Sequence, residues 1–364
     1  MTPTTPQAPL TRRRSFARGL RARTPLVLLA GLGCAAALLA GLHWFVVSGA
    51  FTAIPEGALL RIPNDDYVHA SYLLADLSRH PPTGPVVYVF GGSGAMELMN
   101  SEASLGRAVG EAAGTPVRVV RLATHNQSPA QTLAMVDSLP PGRGLVAIGV
   151  SSNRFTTSPQ DDRDLLADRQ LVMREGALRR FLARYTTVHE RLPGVLPGAL
   201  QFIVSYTRNR ASPTKPWLSR LSYREHYIDR SYRPSMLRRY AGARGELKRE
   251  LPLYERWAAY DRAALARAVG LARQKGYRVA FFEQPLAPEA TGANWESFMG
   301  RYRADVGRLA EGLGVPYISG VQAAAGVQAT DFGDLFHLNE DGRDRWTPPF
   351  ARALARALQG EGSR

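Results

Sequence analysis

The stretch VVYVFGGSGAMEL, residues 86–98, decides the fold of this chain. Its first five residues are apolar and mostly β-branched, which predicts a buried strand, and Gly91 and Gly92 then allow a sharp turn. The residues that follow favour a helix. Ser93 is therefore predicted at the corner between a strand and a helix. At such a corner, backbone N–H groups face any negative charge that develops on a bound carbonyl oxygen.

Similar apolar runs recur along the chain and alternate with helical patterns. The predicted strands are 86–90, 116–122, 144–150, 278–283 and 315–318, and the predicted helices are about 94–113, 128–138, 254–274, 295–312 and 349–358. This alternation is typical of an α/β domain whose parallel sheet is covered by helices on both faces. Functional groups in such sheets gather beyond the carboxyl ends of the strands. Ser93 and the loops at 123–128 and 151–155 all follow strands directly.

The chain begins with a basic segment followed by an apolar one. Residues 25–47 contain no Asp, Glu, Lys or Arg. At about 1.5 Å per residue they form roughly 34 Å of helix, enough to cross a hydrocarbon core of about 30 Å. Six arginines and no acid precede them. The positive-inside rule then predicts a single-pass signal anchor in the cell membrane, with an extracytoplasmic (periplasmic or extracellular) C-terminal part.

Two alternatives to an uncleaved anchor stay open. Cleavage after Ser48-Gly49-Ala50 would make the segment a signal peptide, and RRRSFA at 12–17 resembles a twin-arginine signal. A buried helix of a soluble protein is the other alternative, although no charge interrupts the run. The predicted organisation is a cytoplasmic basic N-terminus at 1–24, the anchor at 25–47, a juxtamembrane linker at 48–85, and an α/β domain at 86–360 with an insert at 156–253.

Late in the chain, DLFHLNEDG at 334–342 supplies the partners that a serine nucleophile needs. A serine hydroxyl is a weak nucleophile and requires a base within hydrogen-bond distance. His337 is the candidate base for Ser93, and Asp334 can fold back onto the imidazole Nδ1–H and orient it. These residues indicate a Ser-His-Asp hydrolase or acyl transferase. His125 is the rival base, and Asp331 is the rival carboxylate.

The same chemistry requires hydrogen-bond donors that face an oxyanion. The backbone N–H of Ser93 is one candidate. The side-chain amide of Asn153, in GVSSN at the end of the third strand, is a second. The loop THNQS after the second strand offers a backbone N–H near His125 or Asn126. We therefore predict an oxyanion hole of Ser93, Asn153 and Asn126.

At these residues the chain resembles the SGNH (GDSL-type) hydrolase superfamily. Members of that family carry a nucleophilic serine after the first strand, a glycine after the second, an asparagine after the third, and a late Asp-x-x-His. Gly92-Ser93, Asn153, and Asp334 with His337 are similar to the first, third and fourth blocks, over 86–155 and 276–360. The resemblance implies a flavodoxin-like three-layer α/β/α sandwich and a serine esterase or O-acyltransferase that uses no cofactor.

The blocks differ from the family pattern at several positions. Gly92 stands where the family has aspartate, Gly94 stands where it has leucine, and His125-Asn126 stands where it has glycine. The anchor and external domain are similar to membrane-anchored members that act in alginate O-acetylation and teichoic acid D-alanylation. This likeness implies an acylated envelope glycan or lipid as substrate and a membrane acyltransferase as a second partner.

Other kinds of site fit the sequence less well. A phosphate loop needs Lys followed by Ser or Thr, which GGSG lacks. The histidines other than His125 and His337 are scattered without metal-ligand spacing, so we predict no metal and no cofactor. The single cysteine, Cys34, excludes a disulfide framework. We interpret the acidic run at 161–168 as a charged helix start.

The insert interrupts the alternation and carries much of the positive charge. It begins as a helical pattern to about 186 and becomes basic and aromatic at 206–240. The whole chain has a formal charge of +15. Outside a membrane, nucleic acid is a poor partner, whereas anionic lipid headgroups or an acidic glycan match this composition. A solvated basic surface without a ligand is the alternative.

These features predict a membrane-anchored serine ester hydrolase or O-acyltransferase that acts on a cell-envelope substrate. Two other hypotheses stay open. A noncatalytic protein of the same fold, which binds an envelope polymer or a membrane acyltransferase, explains the degenerate GGSG sequence. A membrane-surface binding module that works through 206–240 explains the basic insert.

Overall fold

Within its described residues, the protein has one sheet of five parallel strands. The computed structural model describes residues 25–54, 66–168, 174, 176–188, 246–287 and 293–360. The strands are β1 (Val86–Phe90), β2 (Arg118–Arg121), β3 (Gly144–Val150), β4 (Tyr277–Glu283) and β5 (Tyr317–Ile318). Their order across the sheet is β2-β1-β3-β4-β5. The predicted α/β class with a parallel sheet is confirmed.

Helices connect the strands. They are α1 (Pro25–Val47), α2 (Asp66–Arg79), α3 (Ser93–Met96), α4 (Glu102–Ala113), α5 (Pro129–Ser138), α6 (Pro159–Asp168), α7 (Gly176–Leu182), α8 (Glu246–Gln274), α9 (Ala293–Leu313), α10 (Val321–Ala324) and α11 (Glu340–Gln359). Short 3₁₀ turns occur at Ala50–Ala53, Ser152–Arg154 and Ala329–Asp331.

Both faces of the sheet are covered. Side chains alternate along a strand, so Tyr88 and Phe90 point to one face of β1 while Val87 and Val89 point to the other. The first pair packs in a core with residues of α2, α5, α8 and α9. The second pair packs in a core with residues of α4 and α11. The two layers of helices explain why the strands are buried and apolar throughout.

The strand order reverses between β1 and β3. The chain passes from β1 to β2 on one side of the sheet and then returns to β3 on the other side of β1. Groups that follow β1 and β3 therefore meet at the carboxyl edge, in the crevice where α/β sheets bind ligands. Ser93 follows β1, and Asn153 follows β3.

Two predicted helices have different bounds in the structure. The pattern at 94–113 divides into α3 and α4, and the side chain of Ser101 caps the start of α4. The helix predicted at 349–358 begins earlier, at Glu340, and runs through Pro348 and Pro349. The Asn339 side chain caps its start by accepting a hydrogen bond from the Gly342 N–H at 3.1 Å. The capped N-terminal turns let the helix begin well before the two prolines.

Helix α1 is long and apolar enough to cross a membrane. The helix has 23 residues, and most of its described apolar side chains are exposed; Leu38, for example, is 74% exposed, whereas Val46 near its end is 1% exposed. The end of α1 is not isolated from the domain. Tyr72 and Arg79 of α2 donate hydrogen bonds to the backbone carbonyls of Thr52 and Gly49, at 3.1 and 3.0 Å. The residues after α1 are thus attached to α2, whose leucines pack in the sheet core.

The described part of the insert packs on the outside of the domain. Helix α7 places Leu178, Phe181 and Leu182 in a third cluster with residues of α5 and α8. The predicted helical stretch to about 186 corresponds to α6 and α7. The basic stretch at 206–240 lies outside the described residues.

Candidate active site

Ser93 begins helix α3 directly after the turn that ends β1. Gly91 has a φ of 142°, a conformation that favours glycine, and a Cβ there would lie 2.8 Å from the Ala95 Cβ. The side chain of Gln127 fixes this turn, since its Oε1 accepts a hydrogen bond from the Gly91 N–H at 2.6 Å. Gln127 is itself buried and donates to the Leu122 carbonyl at 2.9 Å. The turn that carries the serine is therefore fixed by a side chain from the loop after β2.

Ser93, His337 and Asp334 form a continuous chain of hydrogen bonds. The Ser93 Oγ lies 2.8 Å from the His337 Nε2, and the His337 Nδ1 lies 2.7 Å from the Asp334 Oδ2. An imidazole protonated at Nδ1 donates to the carboxylate and accepts from the serine hydroxyl. The side chains of His337 and Asp334 are 13% and 4% exposed. The arrangement can remove the proton of the serine as it attacks an electrophile.

The loop that carries His337 is held by its own backbone. The second oxygen of Asp334, Oδ1, accepts from the N–H groups of Phe336 and His337 at 2.8 and 2.9 Å. Phe332 and Leu338 pair as an antiparallel bridge across the same loop. With both carboxylate oxygens bonded, the orientation of the acid and of the imidazole is fixed.

Asn153 lies on the 3₁₀ turn after β3 and lines the same pocket as Ser93 and His337. Its Oδ1 accepts a hydrogen bond from the Ser151 hydroxyl at 2.6 Å. This bond orients the amide. Among the described residues, no acceptor takes a hydrogen from the Asn153 Nδ2, which leaves that group available to a bound oxygen.

Asn126 lines this pocket as well, in the loop after β2. Its φ is 53°, in the left-handed region that asparagine tolerates better than most residues. Its Oδ1 accepts from the Nη1 of Arg154 at 3.2 Å. The structure thus brings all five predicted site residues together, because Ser93, Asn126, Asn153 and His337 line the pocket and Asp334 supports His337 from behind.

The two rival residues have other positions. His125 precedes Asn126 but does not line the pocket, whereas the His337 Nε2 lies 2.8 Å from the Ser93 Oγ. Asp331 accepts from the Gln328 N–H at 2.8 Å and lies 3.5 Å from Arg345. The base within reach of Ser93 is therefore His337, and the carboxylate on His337 is Asp334.

Sequence analysis did not identify two side chains at the site, Arg154 and Gln284. Both line the pocket. A Cβ on Gly92 would lie 2.5 Å from the Arg154 Nε, and a Cβ on Gly94 would lie 2.4 Å from the Gln284 Oε1. The glycines on either side of Ser93 therefore leave space for these two side chains. In the sequence, Arg154 and Gln284 were indicated only by the glycines on both sides of Ser93.

Two buried carboxylates lie behind the loop that carries Asn126. Asp162 accepts from the Ser128 Oγ at 2.5 Å and from the Tyr260 OH at 2.8 Å. Burial raises the pKa of Asp162 to about 6, whereas burial and then the Asp162 charge raise the pKa of Asp261 to about 9. Asp162 thus links the residue that caps α5 to α8 through hydrogen bonds. The described residues contain no group of three or more His, Cys, Asp or Glu suited to a metal ion.

Comparison with known proteins gives no family for the chain. No protein-family model matches it. No curated protein matches it. A function must therefore be proposed from the geometry of the site.

Proposed function

We propose that this protein is a membrane-anchored serine ester hydrolase or O-acyltransferase. One observation supports it above the others, namely the unbroken chain of hydrogen bonds from Asp334 through His337 to Ser93. The 2.8 Å bond joins His337 to a residue 244 positions away in sequence, and the 2.7 Å bond joins it to Asp334, three positions away. A histidine bonded between a buried carboxylate and a pocket hydroxyl is arranged for proton transfer.

The first step of the proposed reaction forms an acyl-enzyme. The Ser93 Oγ attacks the ester carbonyl carbon while its proton passes to the His337 Nε2. The Ser93 N–H and the Asn153 Nδ2 donate to the oxyanion of the tetrahedral intermediate. When the ester C–O bond breaks, His337 returns the proton to the departing alcohol oxygen. Asp334 holds the imidazolium and stays ionised.

The second step releases the acyl group. A water molecule or an acceptor hydroxyl attacks the acyl carbon, and His337 takes the attacking proton. The Ser93 Oγ then leaves and recovers its proton from His337. If water attacks, the reaction is hydrolysis, and if a sugar hydroxyl attacks, it is acyl transfer. The same residues have the same roles in both.

We assign the protein to the SGNH type as part of this proposal. The serine after β1, the asparagine after β3 and the late Asp-x-x-His are the blocks of that family, and they meet at one pocket here. The five-stranded parallel sheet with helices on both faces supports a flavodoxin-like sandwich. The intact hydrogen-bond chain favours an enzyme over a noncatalytic protein of the same fold.

The proposed substrate is an acylated glycan or lipid of the cell envelope. The exposed apolar surface of α1 supports a membrane anchor, and the arginines before it support an extracytoplasmic domain. A Glu111→Cys, Cys34→Ser chain tests this topology in intact cells. A membrane-impermeant maleimide labels it if the domain is outside, and the absence of label before lysis contradicts this location.

Turnover of p-nitrophenyl acetate by the detergent-solubilised full chain tests the activity. Wild type is expected to exceed Ser93→Ala and His337→Ala by roughly 10³-fold or more in kcat. Equal rates in all three, together with no acylation of Ser93, would refute the catalytic role. A strict transferase hydrolyses little ester, so acyl labelling of Ser93 is measured in parallel.

A further inference from the structure

A second cavity adjoins the catalytic pocket on the side of β4 and β5. We call it the side cavity, and its volume is about 590 Å³. Its own walls are formed by the residues after β5, by helix α10 and by Trp346 of α11. Three residues belong to both the side cavity and the catalytic pocket, namely Glu283, Gln284 and Leu286. The two spaces thus adjoin at the end of β4, where these residues line both.

The sizes of the two spaces differ in a way that suits two parts of an ester. The catalytic pocket has about 210 Å³, which is below the range of roughly 300 to 1,000 Å³ common for ligand sites. It has room for a short acyl group. The side cavity, at about 590 Å³, has room for a larger group attached to it.

The wall of the side cavity is held in place before any ligand binds. Both ends of the Gln322 carboxamide bond to the backbone of Leu286, with the Leu286 N–H donating to Oε1 at 2.9 Å and Nε2 donating to the Leu286 carbonyl at 2.7 Å. This pair connects α10 to the segment after β4. A cavity with such a wall needs little rearrangement to accept a ligand.

Two buried donors in these walls lack partners. Gln284 is 8% exposed and Trp346 is 1% exposed. Neither the Gln284 Nε2 nor the Trp346 Nε1 has a hydrogen-bond partner among the described residues. Both nitrogens are shielded from solvent, since Trp346 packs in the core and a Cβ on Gly91 or Gly149 would lie 3.0 Å from the Gln284 Nε2. The groups that can meet a ligand are therefore the other polar side chains that line the cavity.

Two charged residues that line the side cavity form an ion pair. The Arg303 Nε donates to the Glu283 Oε1 at 2.7 Å, and the Arg303 side chain is 53% exposed. Such a pair offers an acceptor and several donors to neighbouring hydroxyl groups. Ser319 adds a further hydroxyl at this side. Polar groups of both kinds suit a polyhydroxylated ligand better than a hydrocarbon chain.

We propose that the side cavity binds the alcohol portion of the substrate ester and that this alcohol is a sugar residue. The inference rests on the proposed function. The short acyl group lies in the catalytic pocket, with its carbonyl carbon at Ser93. As the Ser93 Oγ–acyl bond forms and the ester bond breaks, His337 passes the serine proton to the sugar oxygen. The freed sugar leaves from the side cavity.

Helix α10 offers a variant and a matched control. Ala323 lines the side cavity, and its neighbour Ala324 does not, although both are exposed. Ala323→Phe places a ring in the space assigned to the sugar, and Ala324→Phe places the same ring outside it. Both are made in the full chain, with and without Ser93→Ala.

Binding is measured in the inactive Ser93→Ala background by saturation-transfer NMR. The probe is methyl 6-O-acetyl-glucopyranoside. We expect saturation on its ring protons, a loss of roughly fivefold or more with Ala323→Phe, and no change with Ala324→Phe. Absence of ring saturation, or equal effects of the two substitutions, overturns the assignment of the side cavity even if the enzyme turns over simple esters.

Turnover gives the second readout. With Ser93 restored, Ala323→Phe is expected to lower kcat/KM for the sugar ester, relative to ethyl acetate, by roughly tenfold or more. Ala324→Phe leaves this ratio unchanged. An unchanged ratio in Ala323→Phe contradicts the inference. A chain that binds the sugar ester but neither turns over an ester nor becomes acylated at Ser93 refutes the proposed function, while the binding result still supports the sugar site.

Discussion

Arg343 and Glu97 form a buried ion pair that connects the two chain segments of the candidate active site. Their side chains are each 2% exposed, and the Arg343 Nη1 lies 2.9 Å from the Glu97 Oε2. The same nitrogen donates to the Leu338 carbonyl at 3.1 Å, next to His337. Since Glu97 follows the nucleophile helix, this pair holds the segment of Ser93 against the loop of His337.

Loss of Arg343 is expected to destabilise the fold strongly. Arg343→Met leaves the Glu97 carboxylate buried without its charge partner, which costs about 3 to 5 kcal/mol. Arg301→Met is the control, because the Arg301–Glu255 pair is 45% and 57% exposed and its loss costs about 1 kcal/mol or less. Urea unfolding of the solubilised chain measures both. Similar losses in the two variants would contradict the role of the buried pair.

Asp334 is predicted to support catalysis by orienting the His337 imidazole, in addition to any contribution it makes to folding stability. Asp334→Asn removes the carboxylate that accepts the His337 Nδ1–H, so we expect kcat for an ester substrate to fall by roughly 10³ to 10⁴-fold. Asp331→Asn is the matched control, since Asp331 bonds to Gln328 and not to His337. A larger loss of kcat in Asp331→Asn than in Asp334→Asn would show that the carboxylate is wrongly assigned.

Asn153 is predicted to stabilise the oxyanion. Asn153→Ala removes a side-chain donor and is expected to lower kcat by roughly 10² to 10³-fold with little change in KM. Ser151→Ala removes only the 2.6 Å bond that orients the Asn153 amide and should have a smaller effect in the same direction. A raised KM at unchanged kcat in Asn153→Ala would instead indicate a role in substrate binding.

Asp261 is predicted to make the stability of the fold depend on pH. Its pKa is raised from 3.8 to about 9 by burial and by Asp162. Between these two values the folded chain holds a proton that the unfolded chain has released, so stability falls as the pH rises. Asp261→Asn mimics the protonated acid. Between pH 5 and pH 8, we expect the free energy of unfolding of Asp261→Asn to rise by on the order of 2 to 4 kcal/mol relative to that of wild type.

Urea unfolding at a series of pH values measures this gain. Glu111→Gln, which changes an exposed carboxylate on α4, serves as the control. Its plot of unfolding free energy against pH should run parallel to that of wild type. If the Asp261→Asn curve also runs parallel to wild type, the proton is not held at Asp261 in the folded chain.

The sheet and the catalytic set were accessible from sequence because each depends on local pattern. The apolar runs place the five strands within a few residues of their observed bounds. Ser93 follows from a strand, a glycine turn and a helix start, and the spacing of Asp334 and His337 allows their contact. The parallel sheet places Ser93 at its carboxyl edge. His337 comes after further turns of chain beyond β5, so its contact with Ser93 depends on how that late loop packs.

The remaining features depend on contacts between distant segments. Pro348 and Pro349 indicate a helix boundary by local rules, yet α11 passes through both. Arg154 and Gln284 reach the pocket from the ends of β3 and β4, and nothing in their own neighbourhoods marks them as site residues. A Cβ at Gly92 or Gly94 would require the Arg154 guanidinium or the Gln284 carboxamide to move.

The central claim is that Ser93 is a nucleophile activated by His337. Its most direct test is to label the full chain with a biotinylated fluorophosphonate and to locate the adduct by peptide mass spectrometry. The account predicts one adduct on the peptide that contains Ser93, absent in Ser93→Ala and reduced at least about 10²-fold in rate in His337→Ala. An unlabelled Ser93 peptide, or labelling at the wild-type rate in His337→Ala, would contradict it.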